Sequence, residues 1–263
     1  MRALVMGVLN VTPDSFFDGG RFFSHEAAVA RGLEMVAEGA DIVDVGGESS
    51  RPRAEPVAEA DELQRVVPVI EALSPHVRVS VDTTKAPVAE AAVRAGATLV
   101  NDISASLHEV AAAQGVGWVA MHMRGTPRTM QDDPQYDDVV GEVAAFLGER
   151  AEAALRAGVS EVWVDPGIGF GKTPEHNLLL LRHLGRLVAI GHPVMIGTSR
   201  KSFLGRLTGD GGGLLPVEER LPASLATAVW AMANGAGMVR VHDVAATRQA
   251  AMVVGPPIGE DAA

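Results

Sequence analysis

The chain has 263 residues, of which 47% are hydrophobic and only 4% aromatic; its formal net charge is −11, and it contains no cysteine. That composition allows one large α/β core made of Ala, Val, Leu and Ile, and it excludes disulfides, thiol nucleophiles and cysteine metal sites. The negative charge argues against nucleic acid as a partner and requires any anion site to be built from local cations and backbone N–H groups.

In chain order, short apolar runs read as strands at 4–9, 41–45, 78–81, 98–100, 117–121, 161–164, 193–196 and 238–241. Between them lie Ala-rich stretches of helical period, clearest at 26–38, 59–73, 87–95, 138–157 and 221–234. Gly39, Gly96, Gly158 and Gly235 follow such stretches, where glycine permits the left-handed closing residue. Eight β-then-α units predict a parallel sheet, and hence one domain spanning residues 1–263. An open doubly wound sheet would gather its polar residues at a single switch point. Here they follow nearly every strand, so a closed (β/α)8 TIM barrel is expected. The first apolar run is too short for a membrane span and carries no small-residue cleavage site, so a cytoplasmic protein is the expectation. The connections at 10–24 and 47–58 are long enough to suggest function, whereas Gly209–Pro216 reads as a surface insertion.

In such a barrel the chemistry sits at the C-terminal strand ends. That rim reads Asn10; Glu48, Ser49, Ser50 and Arg51; Asp82; Asn101 and Asp102; His122; Asp165; Ser199, Arg200 and Lys201; Arg240, His242 and Asp243. Asp102, Ser104 and Thr83 fit helix caps better than chemistry. Asp82, Asn101, Asp165 and Lys201 together suit a planar heterocycle with alternating donors and acceptors. Around Asn10, Arg51, Arg240 and His242 the character changes to anion binding. No Ser-His-Asp order, zinc-binding His pair or Walker motif is present.

Several segments resemble the signatures of the dihydropteroate synthase family: Met6-Gly-Val-Leu-Asn-Val-Thr-Pro-Asp-Ser-Phe-Phe-Asp-Gly-Gly20, Asp44-Val-Gly-Gly-Glu-Ser-Ser-Arg-Pro52, Val81-Asp-Thr, Val100-Asn-Asp-Ile-Ser104, Met121-His-Met-Arg-Gly-Thr-Pro127, Asp165-Pro-Gly-Ile-Gly-Phe-Gly-Lys172, Thr198-Ser-Arg-Lys-Ser202 and Val239-Arg-Val-His-Asp-Val244. They follow the family order from about residue 4 to residue 254. Departures are Ser50 where Thr is commoner, which keeps the hydroxyl, and Pro222-Ala-Ser224 where Gly-Ser is usual.

The resemblance implies that Asp82, Asn101, Asp165 and Lys201 hydrogen-bond a pterin, with Arg240 flanking the ring; Met121 stands equally as a pterin contact or as core. It implies Asn10 on a Mg2+ ion carried by the diphosphate, with Ser50, Arg51, Arg240 and His242 on phosphate oxygens. Phe16, Pro52, Phe170, the stem of Lys201 and Ser202 would form the p-aminobenzoate pocket. The implied reaction is an SN1-like displacement in which Asp82 and Asp165 stay ionised, helped by Lys201. A homodimer built on the last helices is implied as well. Arg200 reads as a structural salt bridge, Lys172 as a rim residue and His122 as a satisfied core histidine; Asp14 caps a turn or orders the first loop. The remaining histidines look incidental. A methyltetrahydrofolate-type methyltransferase domain would share the pterin contacts but lack the Asn10-Val-Thr-Pro-Asp-Ser-Phe16 loop and the Ser199-Arg-Lys-Ser202 segment. A non-catalytic pterin-binding paralogue is the second alternative.

Overall fold

The computed structural model describes residues 2–12, 25–51, 54–209 and 213–255. Along them run β1 (Leu4–Asn10), α1 (His25–Ala37), β2 (Ile42–Gly46), α2 (Glu59–Leu73), β3 (Arg78–Asp82), α3 (Ala86–Arg94), β4 (Leu99–Asp102), α4 (His108–Gln114), β5 (Gly117–Met121) and α5 (Val139–Ala157). The second half adds β6 (Val162–Asp165), α6 (Pro174–Arg182), α7 (Leu184–Val188), β7 (Met195–Ile196), α8 (Ser202–Thr208), a 3-10 turn (Val217–Glu219), α9 (Leu221–Ala233), β8 (Met238–Val241) and α10 (Val244–Val254). All eight expected strands and all five expected helices form, with ends moved by at most two residues.

The strands are parallel in the order β6-β5-β4-β3-β2-β1-β8-β7. The two ends of that order meet at one parallel bridge, Val164 to Val194, which closes the barrel. Helix boundaries follow local chemistry. Asp138 caps α5 by accepting the Gly141 N–H at 3.0 Å, and Thr173 and His176 form a reciprocal capping box on α6. Gly39, Gly96, Gly158 and Gly235 all take positive φ, as expected after helices.

The period-two alternation of the strands sorts the core into two parts. Val43, Val45, Val79, Val81 and Val100 face outward and pack with helix residues such as Ile70, Leu73, Val88 and Leu147. Inside the barrel, Met6, Ile42, Leu99, Val119, Trp163, Met195 and Met238 form a separate apolar plug, with Leu4 packed against it. The inward positions toward the strands' C-terminal ends are polar: Asp44, Ser80, Asp82, Asn101, Asp165 and Arg240. The plug therefore supports a polar cup at the mouth expected of this fold.

Candidate active site

Asp82, the last residue of β3, pairs in register with Gly46 on one side and Asn101 on the other. A Cβ on Gly46 would stand in ordinary contact, 3.4 Å from the Asp82 Cβ. Arg240 reaches across from β8. Its Nε donates to Asp44 Oδ2 at 2.6 Å and its NH2 donates to Asp82 Oδ2 at 2.8 Å. Asn101 Nδ2 donates to the same Asp44 oxygen at 2.9 Å. Asp44 is fully buried and had no assigned role in the sequence reading. Its signal was present all the same: a carboxylate within the apolar run Ile42-Val-Asp-Val45, at an inward register position.

Burial pushes the Asp82 carboxyl up to about 7; Arg240 opposes this, and neighbouring Asp44 adds to it. Asp165 is also raised by burial, against the pull of Lys201. Lys201 itself is brought down to about 8 by burial, with Asp165 resisting. The expectation that Lys201 keeps both carboxylates ionised meets the opposing effect of burial, which raises Asp165 despite Lys201 and raises Asp82 despite Arg240. For Arg240, burial would lower the pKa, but Asp44 and Asp82 together hold it above its usual value.

Lys201 Nζ donates to the Ile168 carbonyl and lies 4.7 Å from the centre of the Phe170 ring. Lys201 is the N-cap of α8, and Ser202, the first residue of that helix, is exposed. The loop from Asp165 to Lys172 bends through Gly167, Gly169 and Gly171, all at positive φ. A Cβ on Gly167 would collide with the His122 carbonyl oxygen, so this turn admits no side chain.

Lys172 is not a rim residue, as the sequence suggested, but is 2% exposed. Its Nζ lies 2.9 Å from His122 Nδ1 and donates to the carbonyls of Phe170 at 3.0 Å and Gly167 at 3.1 Å. Burial lowers Lys172 to about 7 and His122 to about 3, so the imidazole is neutral and its Nδ1 is free to accept. His122 is thus a satisfied core histidine, as expected. Asp102 is structural too, accepting from the backbone of Ser104, Ser106 and Leu107 and from Trp118 Nε1. Arg200 forms the expected salt bridge, to Asp243 at 2.5 Å.

His242 closes the rim at the end of β8. Ser199 Oγ accepts the His242 backbone N–H at 3.1 Å and lies 3.0 Å from Nδ1. Burial, with Arg240 adding to it, lowers this histidine to about 4, so the ring is neutral. Asn10 ends β1 beside Gly46. Ser50 and the exposed Arg51 follow β2, with the Arg51 N–H donated to Ser49 Oγ at 3.4 Å. Phe16, Pro52 and Asp14 lie outside the described residues.

A narrow slot of about 20 Å³ runs between Asp82, Asn101, Met121, Asp165, Phe170, Lys201 and Arg240, with Ser50 at its edge. Beside it opens a cavity of about 320 Å³ lined by Glu48, Ser49, Ser50, Thr83, Met121, Met123 and Phe146 among others. Met121, for which core and site readings stood equal, is 3% exposed and borders both spaces.

Fold and site together define a barrel whose strand ends gather carboxylates, an amide, a lysine and an arginine around one slot. Comparison with known proteins gives that class its family. The profile described as pterin binding enzyme matches residues 6–242. A dihydropteroate synthase of Mycobacterium leprae is 47% identical over 261 residues, covering 95% of this chain and 92% of that one. The solved structure of Xanthomonas albilineans dihydropteroate synthase with 4-aminobenzoic acid is 48% identical with a TM-score of 0.88, covering 96% and 92% of the two chains. The same organism's enzyme in complex with 7,8-dihydropteroate is 45% identical with a TM-score of 0.85, at 96% and 92% coverage. The chain belongs to the pterin-binding enzymes and, within them, to the dihydropteroate synthase family.

Proposed function

We propose that this protein condenses 6-hydroxymethyl-7,8-dihydropterin diphosphate with p-aminobenzoate, giving 7,8-dihydropteroate and diphosphate. The observation that carries this reading is the strand-end set of Asp82, Asn101, Asp165 and Lys201 around one slot, with Arg240 at its edge. Ionised Asp82 and Asp165 accept N–H groups of the pterin, Asn101 supplies both a donor and an acceptor, and Lys201 donates to a ring acceptor. The C–O bond to diphosphate breaks with its electron pair leaving on oxygen. The C–N bond to the aromatic amine then forms, and the amine releases one proton to solvent.

The chain's own groups serve each demand of that order. Asp82 and Asp165 place negative charge beside a ring that becomes cationic. His242, with Arg240, Ser50 and Arg51, takes up charge on the leaving diphosphate. Phe170, the Lys201 stem and Ser202, joined on the family resemblance by Phe16 and Pro52, would enclose p-aminobenzoate and keep water from the cation. Asn10 offers one hard amide oxygen at the mouth, a donor suited to a Mg2+ ion carried on substrate phosphates. Bound there, Mg2+ would neutralise diphosphate charge and make it a better leaving group.

A homodimer is part of the same reading. It is supported by exposed apolar side chains on the last helices, Trp230 at 49% and Met252 at 64%. The cytoplasm is the proposed compartment; no described helix is long and apolar enough to cross a membrane. Diphosphate release from purified protein supplied with Mg2+, the pterin diphosphate and p-aminobenzoate tests the activity. Tight pterin binding without release would refute it and leave a pterin-binding protein.

A further inference from the structure

Glu62 is a carboxylate in an otherwise apolar face of α2, with no solvent exposure, among buried Val66, Val69, Ile70 and Leu73. Buried charge of this kind persists only when partnered. Its Oε1 accepts from Thr83 Oγ1 at 2.7 Å, and its Oε2 accepts from Lys85 Nζ at 2.5 Å. Thr83 directly follows Asp82, and its hydroxyl also accepts the Lys85 backbone N–H at 3.2 Å. Lys85 Nζ has a second carboxylate partner, Glu48, which stands two residues before Ser50.

The root of the same loop is fastened independently. Arg65, one turn along α2 from Glu62, donates to the Gly47 carbonyl at 2.8 Å. A Cβ on Gly47 would approach Val66 Cγ1 to 2.8 Å and Glu62 Cγ to 2.9 Å, so the loop lies flat against α2 only because this residue is glycine. The residue after Asp82 and the residue leading to Ser50 are thereby tied to one buried carboxylate. The two ion pairs differ in burial: the Glu48 side chain is 29% exposed and that of Glu62 is 1% exposed. The Glu48 half can therefore be broken while Glu62 keeps Lys85.

We propose that Glu48 and Lys85 are positioning residues that fasten the loop after β2, and so set where Ser50 and Arg51 meet the diphosphate. This rests on the substrate reading above, and one arm of its test needs no turnover. In Glu48→Gln, amide exchange across residues 46–51 of the ligand-free protein should quicken about tenfold, as expected for the loss of one charge-assisted bond. The KM for the pterin diphosphate should rise by about the same factor, while the Kd for the diphosphate-free pterin stays within about twofold. Lys85→Arg should preserve both values. Lys85→Met, which also strips Glu62, should weaken the free pterin through Thr83 and Asp82 as well. Unchanged exchange and KM in Glu48→Gln would overturn the proposal. So would an equal loss for both pterins, or an altered Mg2+ requirement, which would make Glu48 a ligand and not an anchor. Wild-type protein that releases no diphosphate would defeat the substrate reading, while the exchange result would still decide the anchoring.

Discussion

Arg240 and Asp82 lie 158 residues apart in the chain, yet the guanidinium of one donates to the carboxylate of the other at 2.8 Å. The same guanidinium holds buried Asp44, so one cation neutralises two carboxylates in the cup. Arg240→Met would leave Asp44 and Asp82 as unpaired neighbours. Removing one partner of a buried pair costs about 3–5 kcal/mol, and urea unfolding should show a loss of that order. Arg240→Lys should recover only part of it, because an ammonium lacks the fork that spans both acids. A loss below 1 kcal/mol in the Met variant, by the same principle, would mean that the cup tolerates two free carboxylates.

Asp82 near 7 and Lys201 near 8 make a narrow pH window. On the proposed reading, pterin capture requires Asp82 deprotonated and Lys201 protonated. The kcat/KM for the pterin diphosphate should therefore rise as pH passes about 7 and fall beyond about 8, in a bell that reports the free enzyme. Asp82→Asn should remove the acidic limb and lower kcat/KM by about 100-fold or more. A profile that stays flat from pH 6 to 9, roughly one pH unit beyond each limb, would contradict the assignment.

The raised carboxyl also affects stability, and the direction is determined. In the unfolded chain Asp82 ionises near 4; in the folded chain it does so at about 7. Between those values the folded form holds the extra proton, so stability from this group falls as pH rises. Asp165, raised by the same burial, adds to the trend. The unfolding free energy of Asp82→Asn minus that of wild type should therefore grow as pH rises through this window and level off above it. A difference that is constant with pH would show that Asp82 titrates normally in the fold.

Lys172 holds the chain on which Phe170 sits, through the Gly167 and Phe170 carbonyls and His122. Lys172→Met leaves the Gly167 carbonyl its Phe170 N–H but takes the donor from the Phe170 carbonyl and from His122 Nδ1, at a cost of about 1–3 kcal/mol. The KM for p-aminobenzoate should rise with it, because Phe170 would lose its support beneath Lys201. Chemical denaturation and steady-state kinetics on one preparation measure both effects; stability lost with an unchanged KM would separate Lys172 from the pocket.

The dimer can be probed at Trp230, which is half-exposed although its Nε1 donates to the Leu181 carbonyl at 2.9 Å. Trp230→Asp should turn a dimeric sedimentation coefficient into a monomeric one, since a charge in an apolar interface is poorly tolerated. A wild-type protein that sediments as a monomer would end the dimer proposal.

The sequence by itself determined the barrel, because eight apolar runs of strand length alternating with helical periods have few other closed solutions. It also placed Asp82, Asn101, Asp165, Lys201, Arg240 and His242 on the rim, since strand ends are where polar residues interrupt apolar runs. Period-two alternation is a local property, and local properties can be read from a string. What only the tertiary structure decided is which polar residues meet. Asp44 stands out as a carboxylate in an apolar run, but its partner appears only when β8 brings Arg240 onto it. Lys172 looks like a rim lysine until the turn through Gly167 folds carbonyls around its ammonium. Glu62 looks like a helix-surface acid until Thr83 and Lys85 arrive from the next β/α unit. Ionisation at the cup was hidden in the same way: burial raises Asp82 against Arg240, and it raises Asp165 against Lys201. Desolvation and pairing depend on what the rest of the chain places around a group, and no local pattern contains that information.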